Sequence, residues 1–122
     1  AFQNNFISSL NIPNSVTTID DSAFRDNSLK TLTFEDDSSL TTIDGSAFKN
    51  NDISSLNIPK SVTTIGASAF QNNNISSLTI DANSSLSIIS KSAFYDNNIN
   101  TLTIPYSLKF FINTDIFNSI QT

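Results

Sequence analysis

Short apolar clusters return along this chain at a nearly fixed interval, with runs of Ser, Thr and Asn between them. Ser-Ala-Phe ends at Phe24, Phe48, Phe70 and Phe94; Ala1-Phe2 opens the chain and Ile116-Phe117 is a degenerate further copy. Successive Phe residues lie 22, 24, 22, 24 and 23 positions apart. Self-similarity at so short a period means stacked structural units, each too small to bury its own apolar side chains. Five coils follow, starting near residues 1, 23, 47, 69 and 93, with a partial last coil over 113–122.

Within each coil the apolar positions keep their offsets from the Phe. The first falls five residues on, at Ile7, Leu29, Ile53, Ile75 and Ile99. Leu10, Leu32, Leu56, Leu78 and Leu102 lie three further, and Ile12, Phe34, Ile58, Ile80 and Ile104 two beyond those. The last pair alternates as a strand with one buried face does. The spacing predicts strands near 7–12, 29–34, 53–58, 75–80 and 99–104, stacked parallel in one sheet.

A connection follows in two alternating lengths. The short form is Pro13-Asn14-Ser15 or Pro59-Lys60-Ser61; the long form, Glu35 to Ser39 or Asp81 to Ser85, accounts for the alternation of 22 and 24. Proline is tolerated where a strand ends, because its missing N–H costs no ladder bond. A second apolar pair comes next (Val16/Ile19, Leu40/Ile43, Val62/Ile65, Leu86/Ile89 and Leu108/Phe111), and then Asp20, Asp44, Gly66 and Ser90. These four are favoured helix N-cap types, so one helical turn carrying Ala-Phe is expected on the back of each coil. Three residues past each Phe stands Asn5, Asn27, Asn51, Asn73 or Asn97, read as a structural ladder of amides bonding to turn backbone.

The run Ile58-Pro59-Lys60-Ser61-Val62-Thr63-Thr64-Ile65-Gly66-Ala67-Ser68-Ala69-Phe70-Gln71-Asn72-Asn73 resembles the BspA-type leucine-rich repeat, and the resemblance covers essentially residues 1–112. Asn stands where that family has Cys in every coil, and the long connections of the second and fourth coils lack the Pro. The resemblance implies a β-rich repeat solenoid: a right-handed coil stack with one parallel sheet and short helical turns opposite. It further implies an extracellular or cell-surface adhesion protein without catalytic residues.

Composition narrows the chemistry. The net charge of −5 and six scattered basic residues argue against a nucleic-acid or anionic-lipid partner. Without Cys there is neither disulfide nor thiolate chemistry, and without His the commonest general base and metal ligand are both missing. Ser residues therefore lack the usual activating partner, and no catalytic residue is assigned. Glu35-Asp36-Asp37, with Asp20 and Asp44, offers oxygen ligands but neither an EF-hand nor a nonapeptide spacing, so it reads as a solvated loop. No metal and no cofactor are expected. No stretch approaches the roughly 18–20 apolar residues of a spanning helix, and no direct membrane insertion is expected.

The outward strand positions form the candidate binding face: Ser9, Asn11, Thr31, Thr33, Ser55, Asn57, Ser77, Thr79, Thr101 and Thr103. Stacked, they make two uncharged ladders of hydroxyls and amides that suit a protein or glycan ligand, or a plain solvated sheet. The leading expectation is a non-enzymatic binding module; the alternative is a structural spacer projecting another domain. The whole chain reads as one domain, a fragment of a larger protein with an excised N-terminal end, with the last partial coil expected to fold over the core. The first coil then presents Phe2, Ile7, Leu10 and Ile12 uncovered, which predicts a homodimer through that end.

Overall fold

The structure, a computed structural model, describes residues 2–105 and 116–117. It is a parallel β-solenoid. The long strands are β1 (Ser9–Ile12), β3 (Thr31–Phe34), β5 (Ser55–Ile58), β7 (Ser77–Ile80) and β9 (Thr101–Thr103). The short strands between them are β2 (Thr18–Ile19), β4 (Thr42–Ile43), β6 (Thr64–Ile65) and β8 (Ile88–Ile89). Equivalent residues of successive coils stand in register, as in Leu10↔Leu32, Leu56↔Leu78 and Leu78↔Leu102. The partial last coil lies outside the described residues except for Ile116 and Phe117.

Each long strand starts two residues later than the apolar spacing predicts, and the reason is a competing acceptor. The N–H groups of Ile7, Leu29, Ile53 and Ile75 do not enter a ladder. They donate to Oδ1 of Asn27, Asn51, Asn73 and Asn97 in the next coil, at 3.3, 3.0, 3.1 and 3.0 Å. The residue before each of the last three still bonds the preceding coil, as in Asp52 N–H to Leu29 C=O (2.8 Å), but a regular ladder begins only beyond the donor that the amide has taken. The second apolar pair, not assigned to a strand from sequence, supplies a continuous second sheet, β2-β4-β6-β8.

The expected helical turns are absent from the described residues; paired β-turns stand in their place. Ala23 N–H donates to Asp20 C=O (3.1 Å) and Arg25 N–H to Ser22 C=O (3.2 Å), with the same pair repeated in later coils. Ser22, Ser46, Ser68 and Ser92 sit at φ between 57° and 62°, in the left-handed region, which interrupts any right-handed helix. The intervening donors point along the stack instead: Ser22 N–H to Gly45 C=O (3.0 Å), Phe24 N–H to Ala47 C=O (2.8 Å). Asp20, Asp44, Gly66 and Ser90 are therefore turn acceptors, not helix caps.

The Phe side chains form a continuous stack of near-parallel rings. Ring centroids from Phe2 through Phe24, Phe48, Phe70 and Phe94 to Phe117 lie 5.3–5.5 Å apart, with planes within 10° of parallel. That spacing slightly exceeds the inter-strand distance and is favourable for offset aromatic pairs. Phe117 continues the stack, and Phe94 N–H donates to Ile116 C=O (3.1 Å), so the degenerate copy takes the place of a sixth coil here. At Gly66 the backbones of neighbouring coils come so close that a Cβ would lie 2.6 Å from the Gly45 nitrogen. In the first coil, Phe2 is about half exposed and Ile7 and Leu10 are partly so. Ile12 departs from expectation: it is buried, being in register with Phe34 of the next coil.

The long strands do not form one sheet. β1 pairs with β3, and β5 with β7 and β9, but no ladder joins β3 to β5. Pairing between these coils holds as far as Asp52 N–H to Leu29 C=O (2.8 Å). The next bond is made by Lys30 to Ser8, Ser76 to Ser54 and Asn100 to Ser76 (all 2.9 Å), but not, among the described residues, by Ser54 to Lys30. The coils rejoin at Ser61 Oγ to Leu40 C=O (2.6 Å) and Thr63 N–H to Thr41 C=O (2.8 Å). The fourth coil has the same long connection and still pairs with the fifth, so connection length is not the cause. Two inward positions distinguish the second coil, where the others carry Ile: Leu29, buried and of the same volume as Ile, and Phe34, larger and partly exposed. The Phe34 ring is larger than the Ile12 and Ile58 side chains at the same position of the neighbouring coils, and overpacking of this kind is the physical reason we infer for the parted strands.

Replacing Phe34 with Ile is accordingly expected to join the two sheets. Hydrogen exchange at the amides of Ser54, Ser55 and Asn57 should slow by at least tenfold in Phe34→Ile; unchanged exchange would mean that the ring is not the wedge.

Candidate functional site

The long strands place the ten outward residues predicted from sequence together on one face. Ser9, Asn11, Thr31, Thr33, Ser55, Asn57, Thr101 and Thr103 are exposed, and Ser77 and Thr79 partly so. The alternation of the strand puts them there: their neighbours Leu32, Leu56 and Leu78 point inward and are buried. Thr33 Oγ1 donates to Asn11 Oδ1 at 2.8 Å, so at that step the outer column is itself bonded. None of the face residues is charged. Chemically the face offers an array of hydroxyl and amide donors and acceptors at the strand repeat.

The seam interrupts this face. It is a cleft of about 770 Å³ lined by β3, β5 and the connections that follow them. Charged residues edge it. Lys30 stands at the start of β3, while Glu35, Asp36, Asp37, Lys60 and Asp81 gather past the strand ends. These residues were not assigned to the face from sequence, where the acidic run read as a solvated loop. Nor does the apolar spacing betray the seam, since Phe34 satisfies the pattern as well as Ile does. Among the described residues no three His, Cys, Asp or Glu side chains form a group able to hold a metal ion.

The Asn column lies apart from the face and is structural in its bonding. Asn27, Asn51, Asn73 and Asn97 are buried. Asn51 illustrates the arrangement: Nδ2 donates to Phe48 C=O and to Phe24 C=O of the preceding coil, both at 3.0 Å, while Oδ1 accepts from Leu29 N–H. One amide thus satisfies backbone groups of two coils at a bend that no ladder reaches. Asn5 is the exception. It is exposed and bonds only within its own coil, to Phe2 and Gln3 C=O (2.9 and 3.2 Å).

The residue before each of these Asn residues is Asn or Asp in every coil, a regularity the sequence reading passed over. Asn4, Asp26, Asn50, Asn72 and Asp96 all sit at φ between 59° and 61°, a conformation these short polar side chains tolerate best after glycine. Their side chains make a second, outer ladder: Asn50 Nδ2 donates to Asp26 Oδ1 (2.6 Å) and Asn72 Nδ2 to Asn50 Oδ1 (2.9 Å).

Coils of 22–24 residues with in-register long strands, an inward Leu and a buried Asn bonding coil to coil define a leucine-rich-repeat solenoid. The chain belongs to the BspA-type leucine-rich repeat family, whose model matches residues 1–122 in six copies. Among solved structures it is similar to the pneumococcal vaccine antigen PcpA, at 26% sequence identity and a TM-score of 0.75. That alignment covers 94% of this chain and 29% of the PcpA chain, so this chain spans under a third of its relative. No curated protein matches it in sequence.

The two environments of one repeat position give a direct test. Asn51→Ala leaves the buried Leu29 N–H without its acceptor and should lower stability by roughly 1–3 kcal/mol. Asn5→Ala and Asn57→Ala, both at exposed positions, should each change it by less than about 0.5 kcal/mol. Urea unfolding of the three variants measures the difference; equal losses would contradict the bonding described.

Proposed function

We propose that this chain is a non-enzymatic recognition segment of a surface or secreted repeat protein, engaging a protein or glycan through its strand face. The observation that carries this reading is the face itself, an uncharged array of Ser, Thr and Asn held in register within each of two sheets, β1-β3 and β5-β7-β9. A sheet of fixed backbone presenting hydroxyls and amides binds at little ordering cost, since few rotamer-rich side chains must be immobilised. Membership of the BspA-type family and the likeness to a pneumococcal vaccine antigen support a surface location. The charge balance favours neither nucleic acid nor anionic lipid as partner.

A spacer role is the second reading, favoured by the similarity of the face from coil to coil: Ser-Leu-Asn in β1 recurs in β5. The two readings part on one measurement. Binding of the protein to an array of glycans and extracellular-matrix proteins should be detectable and should fall at least tenfold in a Thr33→Lys/Asn57→Lys/Thr79→Lys variant. A spacer would bind nothing on the array, or would bind equally well after the substitutions.

For this 122-residue chain we also propose self-association through the first coil, where Phe2 is 53% exposed and Phe6 92% exposed. Covering such apolar surface gains about 25 cal/mol per Å², against the entropy of association. Sedimentation over a concentration series should show a dimer that Leu10→Lys dissociates; a monomer at every concentration would exclude it.

A further inference from the structure

The two connection lengths alternate along the stack, and at the third coil a short one stands between two long ones. Pro59-Lys60-Ser61 has Glu35 to Ser39 on one side and Asp81 to Ser85 on the other. The cleft of about 770 Å³ opens at this step. Glu35 to Ser38 of one long connection, Asp81 of the other, and Pro59 and Lys60 of the short one all border it. Its volume is within the range of ligand pockets. Leu32 and Ile58 are buried, so apart from Pro59 and the partly exposed Phe34 ring the accessible lining is polar. An apolar ligand would strip water from these groups and give nothing in return.

Donors and acceptors are both on offer in the notch. The ion pair present among the described residues is Arg25–Asp26, so the Lys60 ammonium is not tied to the carboxylates beside it. Two of those carboxylates are held in place: Glu35 Oε1 accepts the Asn14 N–H at 3.2 Å and Asp81 Oδ1 accepts the Asn83 N–H at 2.7 Å. Each keeps a second oxygen, and acceptors already fixed bind at little ordering cost. A hydroxyl both donates and accepts, so a molecule with several adjacent hydroxyls can satisfy Lys60 and the two carboxylates together. The C–H face of a sugar ring has the exposed part of Phe34 to pack on. Glu35, Asp36, Asp37 and Asp81 outnumber Lys30 and Lys60, which disfavours an anionic sugar. We propose that the notch over Pro59 and Lys60 binds a neutral saccharide, whose hydroxyls donate to Glu35 and Asp81 and accept from Lys60. The inference rests on the strand face being the binding face; it selects a glycan as the ligand and the third coil as the place.

The neutral probes are methyl β-D-galactoside, methyl α-D-mannoside and N-acetylglucosamine, and the acidic ones glucuronate and N-acetylneuraminate. Each is titrated into the ¹⁵N-labelled protein and followed by amide chemical shifts. At least one neutral sugar should give saturable shifts confined to residues 31–38, 55–60 and 81, with both acidic sugars at least tenfold weaker. Lys60→Glu and Glu35→Ala, both at exposed positions, should each reduce the affinity at least fivefold. The same spectra show whether the variants are folded. The proposal is overturned if no neutral sugar binds, if an acidic sugar binds as well as the neutral ones, or if the shifts fall on Ser9, Asn11, Thr101 and Thr103 instead. Unchanged affinity in the two variants would overturn it too. A protein ligand on the array that the triple Lys variant loses, without sugar shifts at the notch, would retain the face and discard the notch. No binding in either experiment would discard both.

Discussion

One buried amide in each coil after the first holds this solenoid together. At the bend after each Phe the backbone turns away from both sheets, and its N–H and C=O groups have no strand to pair with. Asn27, Asn51, Asn73 and Asn97 answer that need, each donating to a Phe carbonyl in its own coil and to another one coil back, and accepting an N–H in between. An unsatisfied group at such a place would cost about 1–3 kcal/mol. Because the bond crosses between coils, it fixes their stacking distance and register together. The Phe stack, the delayed strand starts and the outward presentation of Ser, Thr and Asn all follow from that register.

A structure built on nearest-neighbour bonding can fail locally without failing altogether. Between the second and third coils the Asn bond, the Phe stack and the second sheet all persist, and only the long strands part. The stability of repeat proteins is approximately a sum of unit and interface terms, so one weakened interface is tolerated when its neighbours are sound. The second coil, which carries Leu29 and Phe34 where the other coils have Ile, is the one whose long strand does not pair with the next, and the face is interrupted there by a cleft. Departures from a repeat are where an otherwise self-similar surface acquires an address.

The turns carry a related lesson. Ser, Asn and Asp at left-handed positions are used in place of glycine, of which the whole chain has only two. Their side chains offset part of the conformational cost by bonding along the stack, as Asp26, Asn50 and Asn72 do. A glycine would adopt the same backbone more easily but contribute nothing to the outer ladder.

The sequence by itself determined the coil length, the strand order, the inward column of Leu and Ile, the buried Asn and the outward face. All of these are set by a local period: whichever way the chain coils, residues at equal offsets from Phe must superpose. The sequence did not determine what the backbone does between those positions. An N-cap residue followed by Ala-Phe is compatible with a helical turn, and only the neighbouring coil, by accepting the Ser22 and Phe24 N–H groups, decides for β-turns. Ile7 and its equivalents fit a strand, and only Asn Oδ1 one coil away withholds them from it. Phe34 fits the apolar pattern as well as Ile80 does, because hydrophobicity is read residue by residue. Whether a ring fits between two fixed coils is a matter of volume, and volume is set by the residues stacked above and below it.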